Sequence, residues 1–330
     1  MAATRSTPRK PMVGRARPVA FGILSAAALT FPATAHEASS LDITNAIFAS
    51  RNADCASYED RYSSAVTDTQ QDKKLTGSVH VTAYNDHCVL ESNNIPNHNT
   101  GEGSSRNFVA PVAEIPATFN LPRNPKPQAS ATALDQRSYD AILLNGVVVD
   151  ILSAGCYRPN GNRVDANGNV AIGCRSTDKW LLDPLGPGVG FGADKHNAHT
   201  QPNGLYHYHG NPMAMFDDHP GTDGSPVIGF AADGFPIYGS YFKDATGTVR
   251  KAKSGYTLKS GTRPSSASDP GGTYDGMYVD DFEFTDAGDL DQCNGMTVNG
   301  QYAYYVTDSY PWVIKCFTGK PDASFAKPRP

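Results

Sequence analysis

From Gly77 onward the chain runs as short apolar stretches separated by turn residues, with little sustained 3.6-residue periodicity. Ser78 to Tyr84 alternates polar and apolar positions, which predicts a half-buried strand, and Cys88-Val-Leu90 follows an Asn-Asp turn. Ile142 to Val149 places Asn145-Gly146 between two apolar runs, the signature of a hairpin with a type I′ turn. Further strands are predicted at Leu205–His209, Val227–Phe230, Pro236–Tyr238, Tyr278–Phe284 and Tyr302–Val306. Residues 51–66 are the best candidate for a short helix. Many short strands with frequent turns predict a mostly β fold: sandwich-like packed antiparallel sheets with long loops and a minor helix. The Gly-rich segment 184–193 follows no clear strand and opens no clear helix, so it reads as a flexible loop rather than a dinucleotide fingerprint.

One internal echo stands out. Asp194-Lys-His196-Asn197 leads into Asn203-Gly-Leu-Tyr206-His-Tyr208-His209, and Asp291-Gln-Cys293-Asn294 leads into Asn299-Gly-Gln-Tyr302-Ala-Tyr304-Tyr305. The offset is nearly constant, as expected of two similar β units. The first copy then carries imidazoles where the second has Cys293, Ala303 and Tyr305.

The N-terminus changes the charge balance. Arg5, Arg9, Lys10, Arg15 and Arg17 precede an apolar stretch from Val19 to Phe31 and an Ala33-Thr34-Ala35 cleavage pattern, the three-part layout of a secretory signal peptide over residues 1–35. The apolar run is too short for a membrane span, and no later stretch approaches that length. Cleavage would remove five of the 28 Lys and Arg and none of the 33 Asp and Glu, leaving a formal net charge of −10. Such an acidic chain is poorly suited to nucleic acid or an anionic membrane surface. Residues 36–74 then read as an N-terminal segment containing the short helix, 75–318 as the β domain and 319–330 as a C-terminal tail. Six cysteines in a secreted or periplasmic protein predict three disulfides. The simplest pairing joins sequence neighbours: Cys55–Cys88, Cys156–Cys174 and Cys293–Cys316.

Four of the nine histidines, His196, His199, His207 and His209, fall within 14 residues. On a strand, His207 and His209 share one face while Tyr206 and Tyr208 take the other. His196 and His199 lie upstream of turn residues able to fold them back. Three or four neutral imidazoles make a donor set for a transition metal, Zn or Cu. Asp194 and Asp233 are candidate carboxylate ligands or partners that orient a ring N–H.

The run Tyr206-His-Tyr-His209 in its Gly-x-Tyr-His-Tyr-His-Gly setting resembles the signature of the YHYH domain family of exported proteins. So do Ser92–His98, Leu144–Val147, Asp194–Pro202, Ile228–Gly239, Leu290–Gly295 and Tyr310–Cys316. The resemblance spans roughly residues 75–318 and implies a site formed by His98, His196, His199, His207, His209 and Asp233. The chain departs from the pattern at Ala303, where a histidine is expected. The resulting expectation is an exported protein with a His-rich transition-metal site. If that site is catalytic, the reaction is metal-assisted hydrolysis with Asp233 as general base. The alternative is a non-catalytic extracellular module for carbohydrate or cell-envelope ligands, for which Tyr- and Asn-rich loops on a β scaffold are suited.

Overall fold

The computed structural model describes residues 39–328. The signal-peptide reading of residues 1–35 lies outside them. Five strands form the first sheet, in chain order: β1 (Leu41–Asp42), β2 (Asp60–Asp68), β3 (Lys73–Ala83), β4 (His87–Ser92) and β5 (Ala117–Pro122). Alternation sets their faces. In β3, Leu75, Val79 and Val81 point inward while Thr76 and Ser78 are exposed; Leu90 of β4 and Phe119 and Leu121 of β5 complete the inner face.

The predicted helix over residues 51–66 does not form. Cys55–Tyr58 makes a single 3-10 turn capped by the Asp54 side chain, and β2 begins at Asp60. The apolar period there is two, not 3.6: Ser64, Val66 and Asp68 are buried on one side of a strand that pairs with β3 along its whole length. The expected boundary between residues 74 and 75 falls inside β3, and the described residues form one compact unit. Among the described residues there is no α-helix, only three short 3-10 turns.

The second sheet has eight strands: β6 (Ala141–Leu143), β7 (Val148–Val149), β8 (Ala198–Thr200), β9 (Tyr206–Tyr208), β10 (Val227–Ala231), β11 (Pro236–Tyr238), β12 (Gly295–Val298) and β13 (Gln301–Tyr305). Their spatial order is β8-β9-β7-β6-β10-β11-β13-β12. This order reads the same from either end. Each half is a hairpin (β6–β7 or β10–β11), a parallel neighbour (β9 or β13) and an antiparallel edge strand (β8 or β12). The halves meet antiparallel, with Ile142 opposite Phe230, flanked by Leu143–Gly229 and Ala141–Ala231. A pseudo-twofold axis therefore passes through the Ile142–Phe230 pair. The sheet is mixed, since two of its seven pairings are parallel.

The echo seen in the sequence recurs in the hydrogen bonds. The Tyr206 hydroxyl donates to Asp194 Oδ2 at 2.8 Å, and the Tyr302 hydroxyl donates to Asp291 Oδ2 at 2.9 Å. The other oxygen of each aspartate accepts the main-chain N–H two residues on, from His196 and Cys293. Tyr208 is held by the Asn145 side chain and Tyr304 by Asp233, each from the hairpin turn of its own half.

The two sheets pack face to face around one continuous core. It joins Val79, Leu90 and Phe119 of the first sheet to Ile142, Val148 and Phe230 of the second. Loops between residues 152 and 191 cover part of the far side of the eight-stranded sheet, braced by Cys156–Cys174. All three neighbour-paired disulfides form.

The turn at Asn145-Gly146 differs from the predicted type I′. Only Gly146 has a positive φ, +86°, and its N–H bonds to Leu143 O while Leu143 N–H bonds to Val147 O. This is a type I turn closed by a left-handed glycine. A Cβ at Gly146 would fall 2.4 Å from Ser92 Oγ and 2.5 Å from Val79 Cγ2, whereas one at Gly300 (φ +81°) would meet nothing within 4 Å. Gly146→Ala should thus destabilise by about 2–4 kcal/mol, from backbone strain plus overpacking. Gly300→Ala should cost only the strain, about 1–2 kcal/mol. Urea unfolding of the two variants measures the difference; equal losses would refute the close approach of the sheets at Gly146.

Candidate metal centre

Strands β8 and β9 build the site. His199 on β8 lies directly opposite His207 on β9, and His209 follows two residues later on the same face. The three rings form a near-equilateral triangle, with centroids 4.8 Å (His199–His207), 4.9 Å (His199–His209) and 4.6 Å (His207–His209) apart. One ring nitrogen from each lies within 4.8 Å of the other two. The remaining clusters of this type among the described residues, at Cys55–Cys88 and Cys156–Cys174, depend on sulfurs that are in disulfides.

Hydrogen bonds fix which nitrogen faces inward. His199 Nδ1 lies 3.0 Å from Phe191 O and His207 Nδ1 lies 3.3 Å from Leu205 O. A carbonyl only accepts, so both Nδ1 atoms carry the proton and both Nε2 atoms keep a free lone pair. His209 Nε2 sits 3.0 Å from His199 Nε2 and must be the donor there. His209 Nδ1 is then buried with no hydrogen-bond partner, although the Ile151 and Asp150 carbonyls are near enough to favour its protonation slightly. Burial holds all three rings below the usual imidazole pKa, His207 and His209 well below it, so they are neutral at physiological pH.

The triad borders a cavity of about 360 Å³. Leu152, Ile172, Phe191 and Val109 supply apolar wall, and Asp150, Gln201 and Lys327 supply polar groups. Asp150, directly after β7, is buried and accepts from Gln201 Nε2 at 3.0 Å and Lys327 Nζ at 2.5 Å. Burial raises its pKa, against the pull of Lys327. Asp150, Phe191 and Lys327 are not among the residues the sequence points to. An acid closing the fully apolar run Val147–Val149 was the available signal for Asp150. Phe191 lay in the Gly-rich segment read as a flexible loop, where its carbonyl in fact orients His199.

The other expected site residues lie elsewhere. His98 and His196 stack on each other, centroids 3.5 Å apart, on the tyrosine side of β9. The Tyr208 hydroxyl donates to His98 Nε2 at 2.5 Å, and His196 Nδ1 donates to Pro212 O at 2.7 Å. Asp194 joins them by accepting from Tyr206 and from the main chain of Gly101 and His196. The expectation of one site containing all six residues is corrected: the five histidines form two clusters on opposite faces of β9, because Tyr206 and Tyr208 separate them, and Asp233 belongs to neither. Asp233 is outside the triad's cavity. It occupies the β10–β11 turn and accepts from Tyr304, Gly319 N and Phe235 N. It is the second-half counterpart of Asn145, a clamp rather than a base.

A disulfide-braced β sandwich with a duplicated central sheet and an imidazole triad in one half is the class of protein these observations define. The chain belongs to the YHYH protein family, whose model matches residues 118–319. That range contains the triad, Asp150 and both halves of the eight-stranded sheet, but not His98 or Lys327. No curated protein and no solved structure matches the chain.

The His98–His196 stack gives a pH prediction. Burial pushes His98 down to about 3, with the neighbouring His196 adding to the shift, and burial also lowers His196. Below pH 6.5 the unfolded chain takes up these protons and the folded chain does not, so this contribution to stability is lost as pH falls. Buried carboxyls such as Asp183 and Asp233, raised by burial, act in the opposite sense. The difference between wild type and His98→Gln isolates the imidazole. That difference should shrink by about 2 kcal/mol between pH 7 and 5. Parallel pH profiles in denaturant titrations would show that His98 protonates in the fold.

Proposed function

We propose that this is an exported metal-binding protein in which His199, His207 and His209 hold one transition-metal ion, Zn²⁺ or Cu²⁺. The observation that carries the reading is the convergence of three neutral imidazoles, two of them oriented by carbonyls at Nδ1 and one left with an unpartnered buried nitrogen. Moving the His209 proton from Nε2 to the unpartnered Nδ1, on the side of the Ile151 and Asp150 carbonyls, would replace the His209–His199 hydrogen bond with a free lone pair on each Nε2, the donor set of an open zinc site. Two such ligands 2.0–2.1 Å from a tetrahedral ion stand about 3.3 Å apart, close to the 3.0 Å between the Nε2 atoms of His199 and His209. Export is supported by three disulfides, which persist in oxidising compartments, and by the basic-then-apolar leader.

Three protein ligands leave a position for water or a small molecule on the cavity side. A metal-bound water there would be acidified toward neutrality, and hydrolysis is the reaction such water supports. Asp150, not Asp233, is the carboxylate that lines this cavity.

Purified, dialysed protein should retain about one metal ion per chain by elemental analysis. His199→Ala, a change at a half-buried edge-strand position, should abolish retention, as should the pair His207→Ala/His209→Ala; His196→Gln, on the other face, should not. With metal at 100 times its Kd, binding should add about 2.7 kcal/mol to wild-type stability and nothing to His199→Ala. Equal metal content in wild type and His199→Ala would sink the assignment.

A further inference from the structure

The cavity in front of the triad has a chemical character that goes beyond metal binding. Its volume of about 360 Å³ is at the small end for a small-molecule site. Val109 and Ile172 line it and are 70% and 73% exposed, among the few large apolar side chains on the described surface. Phe191 and Leu152 continue the apolar wall. Uncovered apolar surface at the edge of a polar-floored cavity marks a place where an apolar body is meant to rest.

The charges decide what the other end of that ligand carries. Imidazole ligands bring no charge to a bound ion, and the Asp150 carboxylate is already paired with Lys327. A divalent ion on the triad would then be unbalanced, with Arg106 at the same cavity adding a further positive charge. Such a site favours a compact anion in the remaining coordination position. Arg106 is the one guanidinium among the cavity's lining residues and is partly engaged by Gly190 O, so the paired forks that favour a phosphate are missing there. Asn107, Gln136 and Gln201 could meet hydroxyls on one side of the cavity, but the exposed Val109 and Ile172 side offers a saccharide no partner and an apolar body a surface to cover.

We infer that the site binds a small carboxylate bearing an apolar body: the carboxylate completes the metal coordination, and the body packs against Phe191, Leu152, Val109 and Ile172. This rests on the metal assignment proposed above, and the experiment separates the two. Full-length mature protein is loaded with Co²⁺, its occupancy is measured by elemental analysis, and phenylacetate, acetate and benzyl alcohol are titrated while the visible cobalt spectrum and the binding heat are followed. Phenylacetate should perturb the spectrum and bind about tenfold or more tightly than acetate, the gain expected from burying one phenyl group. Benzyl alcohol, which lacks the anion, should bind at least tenfold more weakly than phenylacetate. Ile172→Ser, at an exposed position where folding is not at stake, should cut the advantage over acetate to about threefold or less. Equal binding of phenylacetate and acetate at full cobalt occupancy would overturn the ligand assignment and leave the metal centre standing. Failure of the triad to hold cobalt at all would overturn both.

Discussion

A strand has two faces, and everything at the candidate centre depends on β9 not turning over. The tyrosines prevent it. Tyr206 and Tyr208 are fully buried on the sandwich side, and their hydroxyls are tied to Asp194, Asn145 and His98. Turning the strand over would drive two imidazoles into the sandwich core and leave Asp194, Asn145 and His98 without their phenol partners, a cost of several kcal/mol. With the tyrosines fixed, His207 and His209 have no choice but the opposite face. The direct register of β8 against β9 then brings His199 beside them. The polar network on one face is thus what aims the imidazoles on the other.

The duplicated sheet shows the same device used without the chemistry. In the second half Tyr302 and Tyr304 are pinned by Asp291 and Asp233, as Tyr206 and Tyr208 are by Asp194 and Asn145. The positions corresponding to His199, His207 and His209 are Met296, Ala303 and Tyr305. Tyr305 stacks on Tyr238 at 5.4 Å and is edge-on to Phe242. The face that presents nitrogen in one half is packed with apolar surface in the other. The scaffold therefore does not need the imidazoles in order to fold, which is the physical sense in which they are free to bind something.

Much of this was legible in the sequence because it rests on local rules. Alternation predicted β3, β9 and β13, and neighbour pairing of cysteines held because each bridge closes a short loop. What failed were readings that needed tertiary context. Residues 51–66 have a helix-like composition, but pairing with β3 and the Cys55–Cys88 bridge select an extended strand. His196 lies three residues from His199 in sequence, yet Asn197 turns the chain with φ +55° and sends His196 to the other face. The sequence offers Asp233 as a general base, whereas its place as the partner of Tyr304 follows from the symmetry of the sheet, in which it stands to Tyr304 as Asn145 stands to Tyr208. Lys327 could not be placed from sequence at all, since the tail reaches Asp150 across a separation of 177 residues.

The placement of Asp150 gives the centre an electrostatic logic of its own. Three neutral imidazoles bring no charge, so a divalent ion held by them alone in a buried setting would be poorly compensated. Asp150 and Asp140 stand close together in the same buried region, and burial together with their mutual repulsion raises Asp140 while burial raises Asp150 against the pull of Lys327. A cation arriving at the triad would act on both carboxyls in the reverse direction, favouring the ionised form. Lys327, already paired with Asp150, would then share its counter-charge with the ion. The site is best understood as a set of coupled charges in which a neutral donor set fixes position and Asp150 at the cavity, with Asp140 beside it, sets how much positive charge the pocket tolerates.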